Sequence, residues 1–252
     1  MLLAIDIGNS SIKFGVFDQD HLSSKFSIST SRDYSPGEIA NAIGDRLSLT
    51  IDAVIASSVV PEINSAVSEY IEQNFSVKPR FVKASDDFGL TFRFALDTIG
   101  TDRLVNSFAA VEKYGAPCIA VSFGTATTFD VVNRDREHLG GLIAPGMKVT
   151  AKALSLAASQ LPEIELVKPK HVIATTTGTA IQSGIFFGHV AMLEGLLSRI
   201  KSELAGSSEV PGNYDTKVIA TGGFADLIAP ESDAIDHVDH DLTLEGLRML
   251  FQ

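Results

Sequence analysis

The sequence predicts an α/β protein made of two related halves, and three observations carry that prediction. A short apolar strand, a glycine-centred turn and a return strand occur at Asp6–Lys13 and again at Ser122–Phe129. Runs of strand character alternate with stretches whose apolar residues recur at helical spacing. The chain has 252 residues, 45% of them hydrophobic, enough for one large domain or two of about 120 residues each with a sizeable core.

The elements follow in order. Leu2–Ile7 is a short apolar run, and Ile12–Phe17 alternates through Ile12, Phe14 and Val16. Gly8-Asn9-Ser10-Ser11 between them is turn chemistry. Phe26–Ser29 suits a third strand. Ser35-Pro36-Gly37-Glu38 has the form of a capping box with proline at the first helical position, opening a helix through Ile39, Ile43 and Leu47. Ala53–Ala56 suits a buried strand, Pro61–Phe75 an amphipathic helix and Arg80–Val82 another strand. After Gly100, Leu104, Val105, Phe108 and Val111 mark a helix face that stops at Tyr114-Gly115.

The pattern then restarts. Cys118–Phe123 is apolar, Gly124-Thr125-Ala126 turns, and Thr127–Val132 is β-branched and aromatic. A third strand and a loop rich in glycine and proline, Gly140–Gly146, follow. A long helical pattern covers about Gly178–Leu204, Lys217–Ala220 is a strand leading into Gly222-Gly223, and Leu242–Phe251 suits a final helix. Ala116-Pro117 is the best boundary, giving domains 1–116 and 117–252. Gly8 and Gly124 are 116 residues apart, a spacing too long for a solenoid and suited to two domains of one ancestry.

Composition narrows the function. The net charge is −11 and no Lys/Arg cluster occurs, which argues against a duplex nucleic-acid partner and against anionic membranes. ATP remains compatible, because backbone N–H groups and a metal do most of the phosphate work. The single cysteine, Cys118, sits in an apolar run as a small core residue; it cannot form an internal disulfide and suits a reducing compartment. The start of the chain reaches Asp6 too soon for a signal peptide, and no apolar run approaches the roughly 20 residues of a transmembrane helix. The expectation is a soluble, cytoplasmic protein.

The two turns carry the chemistry. Ala4–Ser11 lies over Ala120–Thr127, with Gly8 matching Gly124 and small hydroxyl or amide residues after each glycine. Glycine lets backbone approach an anion, and adjacent N–H groups with Asn, Ser or Thr side chains donate to phosphate oxygens. An acid at the end of the preceding strand, Asp6, can hold Mg²⁺, usually through water, and Lys13 on the return strand can neutralise charge. A single such hairpin equals an ordinary turn; two at matching depth are the hallmark of the actin and sugar-kinase superfamily, in which two RNase H-like domains clasp ATP in a cleft.

Within that superfamily the chain resembles type III pantothenate kinase. Asp6-Ile7-Gly8-Asn9-Ser10 is similar to its first phosphate motif and Phe123–Thr128 to its second. Gly100-Thr101-Asp102-Arg103 with Asn106 is similar to its Gly-x-Asp-Arg-x-x-Asn motif, and Gly140–Gly146 to its Gly-Gly-x-Ile-x-Pro-Gly loop. Thr177-x-x-Ala180-Ile181-x-Ser183-Gly184 and Thr221-Gly222-Gly223 complete the set. The resemblance implies ATP-dependent phosphorylation of pantothenate, the first step of coenzyme A synthesis. It implies Asp102 as the general base. It places Asp6, Ile7, Gly8, Asn9, Ser10, Ser11, Ile12, Lys13 and Thr125 on ATP. It places Gly100, Thr101, Asp102, Arg103 and Thr177 on pantothenate, and it implies a homodimer.

The residues agree with this on their own chemistry. An alcohol becomes a good nucleophile when a base accepts its proton. Asp102 stands at a helix start, where the macrodipole favours the carboxylate, and Arg103 offers a fork suited to the carboxylate of pantothenate. Two positions depart from the family pattern. Ser122 stands where the family has an acid that binds a monovalent cation, K⁺ or NH₄⁺, and Arg93 stands where it has a substrate-contacting Tyr. Either the substrate lid differs, or the alignment slips by one and uses Phe92 or Phe94. These departures leave room for a non-catalytic relative that binds nucleotide or pantothenate without turnover, which retention of Asp6, Asp102 and Arg103 opposes. A kinase for another small alcohol rests on the Arg93 region alone.

Other features weigh less. His237-Val238-Asp239-His240-Asp241 suits either a metal site or a solvated loop. Ser57-Ser58 lacks the context of a hydrolase nucleophile. Phe186, Phe187, Val190, Leu193 and Leu197 form an apolar stripe for a core or a dimer contact.

Overall fold

The computed structural model describes residues 1–47, 49–157, 161–206 and 215–251. They form two compact units, 1–109 with 241–252, and 110–240. The division falls inside the helix that precedes Ala116-Pro117, and the last helix belongs with the first unit.

Unit 1 is built on a five-stranded sheet. Its strands are β1 (Leu2–Ile7), β2 (Ser11–Asp18), β3 (His21–Ser29), β4 (Ala53–Ser58) and β5 (Arg80–Phe81), in the order β3-β2-β1-β4-β5. The first three strands are antiparallel, and β4 and β5 then run parallel to β1. Both faces are covered, which is why β1 is apolar almost throughout. Leu3, Ile5 and Ile7 face α1 (Pro36–Ile43) and α2 (Asn64–Phe75) in one core. Ala4, Phe17 and Ile55 face the other, with Leu104 and Val105 of α3 (Thr101–Tyr114) and Leu244 and Leu247 of the final helix, Leu242–Phe251. Asp6 shares the face of Ala4 by the period of two.

The capping box forms as expected. The Ser35 hydroxyl accepts from Glu38 N, and the Glu38 carboxylate accepts from Ser35 N at 2.8 Å. The helix ends at Ile43, short of Leu47, because Gly44 turns the backbone to φ +57°. A short strand, β6 (Thr91–Phe92), precedes α3.

Unit 2 repeats the topology. Its strands β7 (Cys118–Phe123), β8 (Ala126–Val132), β9 (Glu137–Pro145), β10 (Lys217–Thr221) and β11 (His237–Val238) have the order β9-β8-β7-β10-β11, with the same pattern of antiparallel and parallel pairs. Even the irregularity recurs, between Val16 and Phe17 on β2 and between Val131 and Val132 on β8. Ile119, Val121, Phe123 and Phe129 pack in one core against α4 (Met147–Ala157), α5 (Thr177–Gly206) and α6 (Ala225–Ile228). The helix Leu242–Phe251 is α7.

Three expectations change. Gly140–Pro145 is strand β9, paired with β8 along its length, and only Gly146 leaves it. The helix α4 has no counterpart in the sequence pattern described above. By length and composition α5 passes as a membrane span, with a mean hydropathy of 1.3 in its most apolar stretch, contrary to the expectation that no run approaches that length. Its Ile185, Phe186, Val190, Leu193 and Leu197 are buried in the unit 2 core, so the apolar stripe is core and the helix packs as a core helix.

Candidate active site

In unit 1 the first turn caps β1 and β2. Ile7 pairs with Ile12, and Gly8 N donates to Ser11 O at 3.0 Å, which closes the loop. Thr30 braces it from outside: its hydroxyl donates to Gly8 O at 2.6 Å and its N–H to Ser10 O at 3.2 Å. Asn9 and Ser10 are exposed at the tip, whereas Ile7 and Ile12 are fully buried and serve as the anchor. A Cβ on Gly8 would lie 3.2 Å from Ser11 O, so the glycine serves close packing within the turn.

Asp6 sits one residue below Ile7, with a side chain 10% exposed. Lys13 is its cross-strand partner, and the Lys13 Nζ lies 3.3 Å from Asp6 Oδ2. Register on the other side puts Ser57 beside Asp6. Ser57 is fully buried, and its hydroxyl lies 3.0 Å from the Thr101 hydroxyl, which also donates to Ser58 O at 3.3 Å. The strand end carrying Asp6 is thereby tied to the first turn of α3, where Asp102 and Arg103 lie. A hydrolase role for Ser57 has no support in this arrangement.

At the start of α3, Arg103 N donates to Asp102 Oδ1 at 2.9 Å. A Cβ on Gly100 would fall 2.5 Å from that same oxygen. Glycine at 100 is therefore what allows the carboxylate to occupy its place. Asn106 is buried deeper in α3 and accepts from the Thr243 hydroxyl at 2.7 Å, so this motif residue anchors α7. Arg93 is exposed beside Phe92 and Phe94, whose rings meet edge to face at 5.9 Å.

In unit 2 the second turn is one residue shorter. Phe123 pairs with Thr127, and Gly124 N donates to Ala126 O at 3.0 Å. Ser122 thus pairs with Thr128, the position that Lys13 holds opposite Asp6. The ungapped alignment of the two hairpins slips by one residue beyond the turn for this reason. Ser122 also pairs with Thr221, as Asp6 does with Ser57. Thr221 is 2% exposed, and its hydroxyl has no hydrogen-bond partner among the described residues.

The tightest glycines in this unit flank the turn. A Cβ on Gly146 would lie 2.4 Å from the carbonyl oxygens of both Gly124 and Thr125, and Gly146 N donates to Thr125 O at 3.1 Å. Gly222, at φ +95°, would place a Cβ 2.6 Å from Phe123 O. The Gly-Gly-x-Ile-x-Pro-Gly and Thr-Gly-Gly motifs therefore grip the second turn from two sides, and Thr125 is left exposed at its tip. Thr177 is exposed at the start of α5, on an apolar cavity of about 580 Å³ shared with Pro145, Ile181 and His189.

The remaining candidates resolve differently. The segment from His237 is a strand and an ion-pair network. Asp239 is 8% exposed, accepts from the Tyr114 hydroxyl at 2.9 Å and pairs with Lys113 at 2.6 Å. The Tyr114 ring stacks on His237 at 4.7 Å, and burial first, then the Asp239 bond, pushes the Tyr114 phenol up to about 12. His240 turns away to Asp226 at 3.0 Å. Among the described residues no group of three His, Cys, Asp or Glu side chains gathers to hold a metal. Burial likewise pushes the Cys118 thiol up to about 12, as suits a core residue.

Comparison with known proteins identifies the family. Residues 2–199 match the family model described as type III pantothenate kinase. The chain is 41% identical over 259 aligned positions to the type III pantothenate kinase of Geotalea uraniireducens (strain Rf4), covering 100% of this chain and 98% of that protein. Among solved structures, one of a Baf family transcriptional activator from Campylobacter jejuni superposes with a TM-score of 0.60 at 20% identity, covering 99% of this chain and 96% of that one. A 2-dehydro-3-deoxygalactonokinase protein from Sinorhizobium meliloti superposes with a TM-score of 0.58 at 13% identity, covering 100% and 96%. At these identities the structural likeness is one of fold alone. The sequence match over the whole chain goes further: this chain belongs to the type III pantothenate kinase family.

Proposed function

We propose that the chain transfers the γ-phosphoryl group of ATP to the primary hydroxyl of pantothenate, giving 4'-phosphopantothenate, the first step of coenzyme A biosynthesis. One observation carries the reading: the family's Gly-x-Asp-Arg motif is present with its carboxylate held against Gly100, in a position that no larger residue at 100 would permit. Asp102 is the base that accepts the hydroxyl proton as the phosphoryl acceptor attacks. Arg103 pairs with the substrate carboxylate, and Gly100, Thr101 and Thr177 complete the pantothenate contacts.

Residues Asp6 to Lys13 and Thr125 supply donors for the phosphates of ATP. A single acid with a lysine at 3.3 Å suits Mg²⁺ that keeps much of its water and is held chiefly by the nucleotide's own oxygens. The ion, when bound, neutralises phosphate charge. Asp6 would hold it through water, and Lys13, 3.3 Å away, fixes the Asp6 carboxylate.

Ser122 brings a hydroxyl and no charge to the position of the monovalent cation, so dependence on K⁺ or NH₄⁺ is weak in this chain. Exposed Leu142, Ile143, Val149 and Leu154 on β9 and α4 support a homodimer, and the small, soluble substrates suit the cytoplasm. The test is phosphopantothenate formation from MgATP and pantothenate with K⁺, with NH₄⁺ and with neither. Product in all three is expected. No product in any would overturn the assignment, and product only with a monovalent cation would overturn the reading of Ser122.

A further inference from the structure

His189 lies mid-way along α5, 6% exposed, and belongs to none of the motifs above. Its ring stands between two backbone carbonyls. Nδ1 is 2.8 Å from Ile185 O, one turn back on α5, and Nε2 is 3.2 Å from Pro145 O, 44 residues away on β9. A carbonyl oxygen only accepts, so each contact is a hydrogen bond only if that ring nitrogen carries its proton. A neutral ring makes one of the two bonds at a time, and an imidazolium makes both.

The Pro145 carbonyl has a special place. It opens the Pro145–Gly146 peptide, and Gly146 is the residue pressed against the second phosphate turn. Gly146 N donates to Thr125 O at 3.1 Å, while Gly146 O accepts from the Thr150 hydroxyl at 3.0 Å and from Thr150 N at 2.9 Å. Proline offers no N–H of its own, so β9 has one fewer bond with which to fix its end. A proton on Nε2 would make the 3.2 Å contact a tether from the helix side. Pro145, already in register with Ala126 on β8, would thus also be held from α5, and through it Gly146 and Thr125.

We propose that His189 is a positioning residue for the second phosphate turn, acting through Nε2–H to the Pro145 carbonyl. The phosphate role of that turn rests on the function proposed above; the tether itself does not. Its order is read directly by amide hydrogen exchange, and its consequence by the affinity for MgATP in a binding titration.

Three substitutions separate the atoms. His189→Gln places an amide N–H₂ near the Nε2 position, His189→Asn places one near Nδ1, and His189→Phe keeps a ring without donors. The Gln variant is expected to match the wild type. The Asn and Phe variants are expected to exchange the amides of residues 124–126 and 146 about five-fold faster and to bind MgATP about five-fold more weakly, the weight of one net hydrogen bond. Thermal unfolding of each variant identifies any that has lost its fold, and the Gln–Asn comparison stands without the Phe variant. Equal exchange in the Gln and Asn variants would overturn the proposal. Exchange that splits as expected, with no MgATP binding by any form including the wild type, would instead sink the nucleotide-binding function and leave the tether standing.

Discussion

Gly100 and Asp102 constrain each other closely at the start of α3. The missing Cβ of Gly100 leaves room for Asp102 Oδ1, which accepts from the Arg103 N–H. Gly100→Ala adds one methyl group 2.5 Å from that oxygen, and the carboxylate must rotate away. Since misplacement of a catalytic group by about 1 Å costs on the order of 100-fold in rate, the expected result is a fall in kcat of about 10- to 100-fold with little change in the binding of MgATP. Steady-state kinetics on the variant checks this, and an unchanged kcat would contradict it. The same scale shows what a sequence can and cannot disclose. The motifs that carry Gly8, Asp102 and Arg103 stand out by their order and spacing along the chain. The tie from Ser57 to Thr101 and the brace from Thr30 to Gly8 are invisible, because hydroxyls that join distant segments leave no local pattern.

At the scale of elements, local chemistry was legible wherever it was local. The capping box at Ser35 begins α1 where it should, and Gly115 at φ +86° stops α3. Glu38 accepts from the Ser35 backbone first and its hydroxyl second, and both hold its carboxyl below the ordinary value of 4.5. The folded value being the lower one, the box adds stability above pH 4.5, and that contribution is lost as pH falls through the folded value. Glu38→Gln is therefore expected to remove most of the pH dependence of the α1 amide protection factors, corrected for intrinsic exchange, between about pH 5 and 3, where the carboxylate titrates. An equal pH dependence in the variant would contradict the assignment. Elements defined by distant partners were harder to see. The glycines and proline of β9 resemble a loop, yet β8 supplies ladder partners along the whole strand. The helix α4 carries Val149 and Leu154 exposed, so its apolar residues mark no single buried face. The turns differ by one residue, which only the paired register reveals.

Over the whole molecule, the repeat was legible as a pair of turns and proves to be one order of five strands present in both sheets. The position of the last helix was not, because nothing in Leu242–Phe251 says which sheet it covers. Its Leu244 and Leu247 complete the unit 1 core beside Ala4 and Val105, and Gly246 lets it approach α3 so closely that a Cβ would lie 2.8 Å from Val105 Cγ1. A chain ending at His240 would uncover that core, at roughly 1.5–3 kcal/mol for each large apolar side chain exposed. Such a truncation is expected to lose cooperative unfolding in unit 1, as read by thermal denaturation, and an unchanged melting temperature would contradict this placement of α7. Family membership and the geometry at the start of α3 together support a pantothenate kinase with Asp102 as its base. The most direct measurement compares phosphopantothenate formation by the wild type and by Asp102→Asn, with MgATP binding measured on both. Product is expected from the wild type, none detectable from Asp102→Asn, and similar MgATP binding by the two; turnover by Asp102→Asn at the wild-type rate would rule out Asp102 as the base.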